Sequence, residues 1–157
     1  MGDHSAFMDQ AIELASQNVR QGAGGPFGAV VVKGGVVIAT GVNQVTSGND
    51  PTAHAEVVAI RAACKALNDF QLTGCTVYSS CEPCPMCLSA LYWARPDAVY
   101  FANTHLEAAA IGFDDSLIYS EIAKPPSDRK LKMTRLTHAN ALESFRLWEK
   151  SQARVDY

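Results

Sequence analysis

The chain has 157 residues, of which 48% are hydrophobic and 18% are charged, and its formal net charge is −3. This length is sufficient for one ordinary hydrophobic core, so we predict a single domain over residues 1–157. The composition is typical of globular proteins in solution. A small negative charge argues against a protein that coats nucleic acid or binds a membrane surface, and we expect neither partner.

The charge is distributed unevenly along the chain. Residues 1–123 carry 5 basic and 12 acidic side chains, a net charge of 5 − 12 = −7, whereas residues 124–157 carry 8 and 4, a net charge of 8 − 4 = +4. A basic C-terminal segment of this kind can contact RNA, or it can complement an acidic partner subunit. The sequence leaves both alternatives open.

The cysteines indicate a reducing compartment. Five cysteines are an odd number, and two of them stand in a metal-binding motif, so they do not form a disulfide framework. Cys64 and Cys75 are predicted as small buried apolar residues. No signal-peptide core precedes the first predicted helix, and no apolar run approaches the roughly 18 residues of a membrane span. We therefore expect a cytoplasmic protein.

The first two thirds of the chain alternate between helical and extended patterns. Apolar residues at helical spacing indicate helices, and short β-branched runs bounded by glycine, proline and asparagine indicate strands. Lys33-Gly34-Gly35 is a hairpin signal, and Pro26 prevents continuation of the first helix. In chain order the patterns predict helix 5–20, strands 28–32 and 36–41, a loop over 42–51, helix 53–67, strand 76–80, helix 85–94 and strand 98–102.

The patterns are weaker after residue 103. They predict a helix over 106–111, a loop over 112–116, helical turns over 117–123, a stiff link at Pro125-Pro126, a strand over 131–137 and a helix over 139–153. Strands that alternate with helices predict an α/β protein with helices on both faces of the sheet. We therefore expect a three-layer α/β/α arrangement around a mixed five-stranded sheet.

Two short motifs carry the predicted chemistry. His54 precedes Glu56 by two residues, and Cys84 and Cys87 have the C-x-x-C spacing that places both thiols on one helix face. One histidine and two cysteines leave a fourth tetrahedral position of a zinc ion for water, as in catalytic sites. Zinc lowers the pKa of its water to about 7, and Glu56 is then free to carry the proton to a substrate nitrogen.

Closed metal sites are the alternative. Cys81, Cys84 and Cys87 read C-x-x-C-x-x-C, which together with His54 can form a sealed structural zinc site. A ferredoxin-type cluster would need a fourth cysteine at position 91, which is a leucine. Pro83 favours an extended backbone before it, at roughly 3.3 Å per residue, and this carries Cys81 away from the ion. This argues against Cys81 as a third cysteine ligand but leaves the sealed site open as an alternative.

The pattern H-x-E…P-C-x-x-C is typical of zinc-dependent base deaminases, and the chain resembles the cytidine deaminase-like superfamily. From Phe7 to Tyr157 it is similar to the bacterial guanine deaminases within that superfamily. The closer resemblance rests on residues 24–30 (GGPFGAV), 49–56 (NDPTAHAE), 92–96 (YWARP), 112–116 (GFDDS) and the terminal Tyr157.

The resemblance implies the hydrolysis of guanine to xanthine and ammonia with one Zn²⁺ per subunit. It implies that the purine is attacked at C2 while Glu56 passes a proton to N3 and then to the departing amine. The metal ligands would be His54, Cys84 and Cys87, and the catalytic residues Glu56 and Asp115, the latter in preference to Asp114. The substrate-binding residues implied are Phe27, Asn43, Ala55, Trp93, Asp115 and Tyr157.

Several of these positions also have an ordinary structural interpretation. Asn43 is typical of turns, Phe27 and Trp93 of hydrophobic cores, and Tyr157 of a disordered terminus. His105, like His4 and His138, has no partner motif and is assigned no role. Glu82 is interpreted as a structural hydrogen-bonding residue.

The resemblance further implies a homodimer in which residues 124–157 are exchanged between subunits and the C-terminal tail closes the partner's pocket. Three rival functions remain. The first is deamination of guanosine or another nucleoside, and closure of the pocket around N9 would decide between guanine and guanosine. Deamination of adenosine in tRNA is favoured by the basic C-terminal segment. A non-catalytic zinc-folded interaction module would not need a carboxylate at position 56.

Overall fold

The computed structural model describes residues 4–157 and separates into two compact units. One unit ends at Asp115, and the other is Ser116–Tyr157. None of the helices in residues 4–157 has the length and apolarity that a membrane crossing requires.

The unit that ends at Asp115 contains all the strands of the described chain, and its helices and strands start and end close to the predicted positions. A short helix interrupts the predicted loop over 42–51, and His54, predicted within the second helix, precedes it instead. The elements are α1 (His4–Arg20), β1 (Gly28–Lys33), β2 (Val36–Val42), α2 (Val45–Gly48), α3 (Ala55–Leu67), β3 (Cys75–Cys81), α4 (Pro85–Ala94), β4 (Ala98–Asn103) and α5 (His105–Ala110).

The sheet is mixed, as predicted, and its strand order is β2-β1-β3-β4. β1 is antiparallel to both neighbours, and β3 is parallel to β4. β2, β3 and β4 therefore run in one direction, and the connection from β2 to β3 passes over β1. Consequently β2 and β3 end at the same edge of the sheet, where α3 and α4 begin.

The sheet formed by residues 4–157 has four strands where the sequence predicts five. The predicted strand over 131–137 is irregular, because strand formation needs a hydrogen-bonding neighbour and its own unit offers none. The predicted helix over 139–153 is also shorter. The elements of this unit are α6 (Ser116–Ile122), a 3-10 turn (Pro126–Asp128) and α7 (Glu143–Lys150).

Alternating side chains of the central strands form a core on each face of the sheet. Val30 and Tyr78 pack with Ala11 of α1 on one face. Ala29, Val31 and Val77 pack on the opposite face with residues of α3 and α4, namely Ala55, Ala59, Ala63, Leu91 and Ala94. Successive residues of a strand point to opposite faces, so β1 and β3 are buried on both sides. This unit therefore has the predicted α/β/α layers.

Two glycines allow the helices to lie directly on the strands. A Cβ atom at Gly41 in β2 would lie 2.2 Å from the carbonyl oxygen of Ala55, and one at Gly28 in β1 would lie 2.4 Å from that of Ala11. The first turn of α3, which follows His54, thus approaches β2 backbone to backbone. This contact fixes the position of the first turn of α3 against the sheet.

Candidate active site

Two helix N-termini bring together the three predicted metal ligands. His54 precedes α3 and Cys84 precedes α4, both with extended backbone, and Cys87 is buried in the first turn of α4. His54 Nδ1 lies 3.5 Å from the Sγ atom of each cysteine. All three ligand atoms lie within 4.8 Å of one another. The positive ends of both helix dipoles favour thiolates at this point.

The spacing of these atoms fits a zinc ion. Zn–N bonds of about 2.0–2.1 Å and Zn–S bonds of about 2.3 Å at tetrahedral angles separate nitrogen from sulfur by roughly 3.6 Å. The 3.5 Å distances from His54 Nδ1 to the two sulfur atoms match that separation. One imidazole and two thiols occupy three positions of a tetrahedron, so this group can bind zinc and leave one position open.

The pKa values of the Cys84 and Cys87 thiols shift in opposite directions because the two groups are hydrogen-bonded to each other. The hydrogen bond from Cys87, and then that from His54, lower the pKa of the Cys84 thiol. The same pairing, together with burial, raises the pKa of Cys87. The hydrogen bond to Cys84 raises the pKa of His54. Zinc ligands must be deprotonated, so metal binding here releases protons.

Glu56 is buried beside the ligands, with only 5% of its surface exposed. Its Oε2 lies 3.4 Å from Cys87 Sγ. Burial is the main cause that raises the pKa of this carboxyl group, so it accepts a proton more readily than an exposed glutamate. His54 and Glu56 reach one point although residues i and i+2 diverge around a helix, because α3 meets the site with its N-terminal end.

Cys81, the residue on which a sealed site depended, lies outside the ligand group. Its Sγ lies 3.7 Å from the carbonyl oxygen of Thr104, to which it donates. Burial raises the pKa of this thiol to about 11, which keeps it protonated. The described geometry therefore favours three protein ligands over four.

Asn43 and Phe27 lie on adjoining chain segments. The Oδ1 atom of Asn43 accepts from the backbone N–H groups of Gly25 and Val45, at 3.3 Å each. The backbone N–H of Asn43 donates to the carbonyl of Phe27 at 3.1 Å. The backbone thus uses the amide oxygen of Asn43, and the amide Nδ2 is the other polar atom of this side chain.

Asn18 is a buried residue that sequence reasoning missed. From α1 its Nδ2 donates to the carbonyl oxygens of Gly25 and Asn43, at 2.9 Å each. A Cβ atom at Gly24 would lie 2.2 Å from the Asn43 carbonyl oxygen, so this loop is closely packed. No feature of the sequence distinguishes Asn18 from the other polar residues of α1.

The loop over 112–115 approaches the same region. The rings of Phe113 and Phe27 meet edge to face, with centroids 4.9 Å apart. Asp115 is half-buried, and desolvation, followed by the charge of Cys84, raises the pKa of its carboxyl group. The loop that carries Asp115 therefore contacts Phe27 through Phe113, and the role of Asp115 stays a prediction.

The remaining predicted site residues are Ala55, Trp93 and Tyr157. Ala55 is fully buried as the first residue of α3. Trp93 lies on α4 with 62% of its surface exposed. Tyr157 belongs to the unit that begins at Ser116 and is exposed there. The roles of these three residues stay predictions.

Known proteins are similar to this chain in sequence and in fold. A family model described as the cytidine and deoxycytidylate deaminase zinc-binding region matches residues 1–103. The chain belongs to this deaminase family. Guanine deaminase from Bacillus subtilis (strain 168) is 52% identical over 155 residues, which are 99% of each chain. An X-ray structure of guanine deaminase from Bacillus subtilis matches with a TM-score of 0.97, at 52% identity over 99% of both chains.

Two further proteins are less similar to this chain. A crystal structure of NE0047 in complex with 2,6-diaminopurine is 34% identical, has a TM-score of 0.70, and aligns over 73% of this chain and 64% of that one. A tRNA-specific adenosine deaminase from Agrobacterium fabrum is 38% identical over 112 residues, 71% of this chain and 72% of that protein. The family fold is thus common to members that act on different bases, while the similarity to guanine deaminase extends over almost the whole chain.

Replacement of Asn18 by alanine should destabilise the protein. The carbonyl groups of Gly25 and Asn43 would lose a buried donor, which costs about 1–3 kcal/mol in the free energy of unfolding. Urea denaturation measures the change. Gln10→Ala, an exposed replacement on the same helix, is the matched control. Equal stabilities of the two variants would contradict a tethering role for Asn18.

Proposed function

We propose that the protein hydrolyses guanine to xanthine and ammonia with one zinc ion per subunit, bound by His54, Cys84 and Cys87. The observation that carries this proposal is a buried carboxylate, Glu56, beside three ligand atoms at zinc-binding distances. A structural zinc site has no use for such a carboxylate, which argues against a non-catalytic interaction module. The similarity to guanine deaminase over 99% of the chain supports guanine as the substrate.

The residues around the ligands provide the proton transfers that the reaction requires. The ion, when bound, supplies a nucleophile by lowering the pKa of a water to about 7. Glu56 would take one proton from the attacking water and give it to ring N3 as a C–O bond forms at C2. The same carboxylate would then remove the remaining proton from the C2 hydroxyl and deliver it to the exocyclic amine, which leaves as ammonia as the C–N bond breaks and the C2 carbonyl forms. A raised pKa suits Glu56 for both steps.

Other side chains orient the purine in this proposal. Phe27 packs against the ring, and Asn43 Nδ2 donates to an acceptor atom of the base. Asp115 accepts from guanine N–H groups or guides the departing ammonia, and its raised pKa suits it to share a proton. The backbone at Ala55 and the side chain of Trp93 border the same pocket. The structure of NE0047 with 2,6-diaminopurine supports a purine ligand of this size.

Deamination of adenosine in tRNA is the second candidate, and guanosine is a third. The identity to a tRNA-specific adenosine deaminase and the net charge of 8 − 4 = +4 over residues 124–157 favour the tRNA reaction. The net charge of 5 − 12 = −7 over residues 1–123 opposes it, because binding to phosphates depends on positive charge. Guanine remains the better-supported substrate.

We propose further that the protein is a cytoplasmic homodimer in which residues 124–157 are exchanged between subunits and Tyr157 closes the partner's pocket. β4 is an edge strand, and its side chains Tyr100 and Phe101 are exposed. Native proteins normally cover an exposed apolar edge of a sheet. The unit from Ser116 exposes many apolar residues, among them Leu131, Met133, Leu136, Phe145, Leu147 and Trp148. Exchange would cover these surfaces and could add a fifth strand. Unpaired thiols suit a reducing cytoplasm.

Glu56→Gln should abolish most turnover without loss of zinc. The amide cannot carry a proton, so we expect kcat for guanine to fall by roughly 10²–10⁴-fold. Glu13→Gln, which alters an exposed ion pair, should leave kcat unchanged. Ammonia release measures turnover, and atomic absorption measures zinc. Normal ammonia release by Glu56→Gln would remove this residue from the mechanism.

A panel of possible substrates should distinguish the candidate functions. We expect ammonia release from guanine to exceed that from guanosine, adenine, cytosine, cytidine and tRNA, and to disappear after zinc is removed by a chelator. Circular dichroism of the stripped protein should remain largely native, because a catalytic ion is not required for folding as a structural one is. Preferential turnover of tRNA, with binding that weakens steeply in salt, would favour the tRNA reaction instead.

Mixed dimers should test the exchange of the C-terminal segment. Glu56→Gln and a variant that lacks Tyr157 are each expected to be poorly active. If the tail completes the partner's site, a mixed dimer contains one site with both Glu56 and Tyr157. A refolded 1:1 mixture should then recover about a quarter of wild-type activity, since half the dimers are mixed and each has one intact site. No recovery would mean that the tail acts within its own subunit.

A further inference from the structure

A hydrogen-bonded pair connects the metal-ligand loop to α5. Glu82 lies two residues before Cys84, and its Oε2 accepts from the backbone N–H of His105 at 3.0 Å and from its Nδ1 at 2.8 Å. The backbone N–H of Glu82 donates to the carbonyl of Asn103 at 2.8 Å. Three hydrogen bonds thus join the chain before Cys84 to the start of α5. The sequence assigned no role to His105.

α5 is a short, well-capped helix that leads directly to Asp115. Thr104 and Glu107 form a capping box: the Glu107 carboxylate accepts from the Thr104 N–H at 2.7 Å, and Thr104 Oγ1 accepts from the Glu107 N–H at 3.3 Å. At the other end the Phe113 N–H donates to the Ala108 carbonyl at 3.0 Å, and Phe113 contacts Phe27. A short helix with hydrogen bonds at both ends therefore joins the start of α5 to the loop over 112–115.

We propose that Glu82 and His105 are positioning residues that hold α5, and through it Asp115, in register with the zinc ligands. The inference rests on the proposed function, because it assigns Asp115 a part in the reaction. Asp115 follows Phe113 by two residues, and Phe113 both contacts Phe27 and donates its N–H to the carbonyl of Ala108 in α5. One carboxylate, that of Glu82, thereby fixes two parts of the pocket that come from separate chain segments.

The contact between Glu82 and His105 contributes little to the stability of the fold. The two side chains are 42% and 27% exposed, for His105 and Glu82 respectively. Ion pairs near the surface contribute little to the free energy of unfolding. The main effect of the contact is then on the position of α5 and of Asp115. Such an effect matters because misplacement of a reacting group by about 1 Å can lower the rate by as much as 10²-fold.

The test uses the zinc-loaded full-length protein and four variants. His105→Ala and Glu82→Ala should lower kcat for guanine by about 10- to 100-fold, with little change in zinc content or melting temperature. Glu82→Gln keeps an oxygen that accepts from both His105 groups, so it should retain most of the rate. Leu106→Ala, an exposed replacement on the same helix, is the matched control.

Combination with Asp115→Ala identifies what the pair positions. If the pair acts through Asp115, His105→Ala should cause no further loss of kcat in the Asp115→Ala background. An equal loss in both backgrounds, or a loss of zinc in His105→Ala, would overturn the inference, because the pair would then act on the ligand loop alone.

Hydrogen exchange provides a readout that does not depend on the substrate. Amides of residues 111–115 should exchange faster in His105→Ala and Glu82→Ala than in wild type, Glu82→Gln or Leu106→Ala. Unchanged exchange in all variants would reject the connection through α5. If wild type fails to deaminate guanine but exchange changes as expected, the proposed substrate is wrong and the structural connection remains.

Discussion

The site depends on two helices that begin at the same point. His54 and Cys84 occupy the N-cap positions of α3 and α4, where residues commonly use their side chains to cap the helix, and neither does so. Both side chains instead meet each other, with Cys87 one turn further along α4. The N-terminal ends of the two helix dipoles also favour the thiolates that a zinc ion needs. The meeting of the two helix N-termini thus both positions the three ligand atoms and favours negative charge on the cysteines.

The order of the strands produces this arrangement. β2 and β3 run in the same direction with β1 between them, so the helices that follow them start at one edge of the sheet. α3 and α4 share one core on one face, and Gly41 allows α3 to approach β2 closely. Crevices at the carboxyl ends of strands are where open α/β sheets usually bind ligands. The sheet thus determines where the two motifs meet.

Polar side chains then fix the loops around this edge. Asn18 joins the loop before Phe27 to the segment at Asn43, and Glu82 joins the ligand loop to α5. These contacts are few and directional, so each sets the position of one segment relative to another. A pocket built from separate loops needs such connections, because apolar packing alone does not define orientation at the scale of a hydrogen bond.

The sequence by itself determined the chemistry: the spacing of His54, Cys84 and Cys87 predicts an open zinc site beside Glu56, and the resemblance of these motifs to zinc-dependent deaminases predicts the reaction. Periodicity predicts the elements up to residue 103 almost correctly. These signals are local, since a helix or a C-x-x-C motif is set by neighbours in the chain. Tertiary structure alone decided the place of β1 between β2 and β3, the absence of a strand over 131–137 and the contacts of Asn18 and His105. Each depends on a partner far away in sequence, and no local pattern records such a partner.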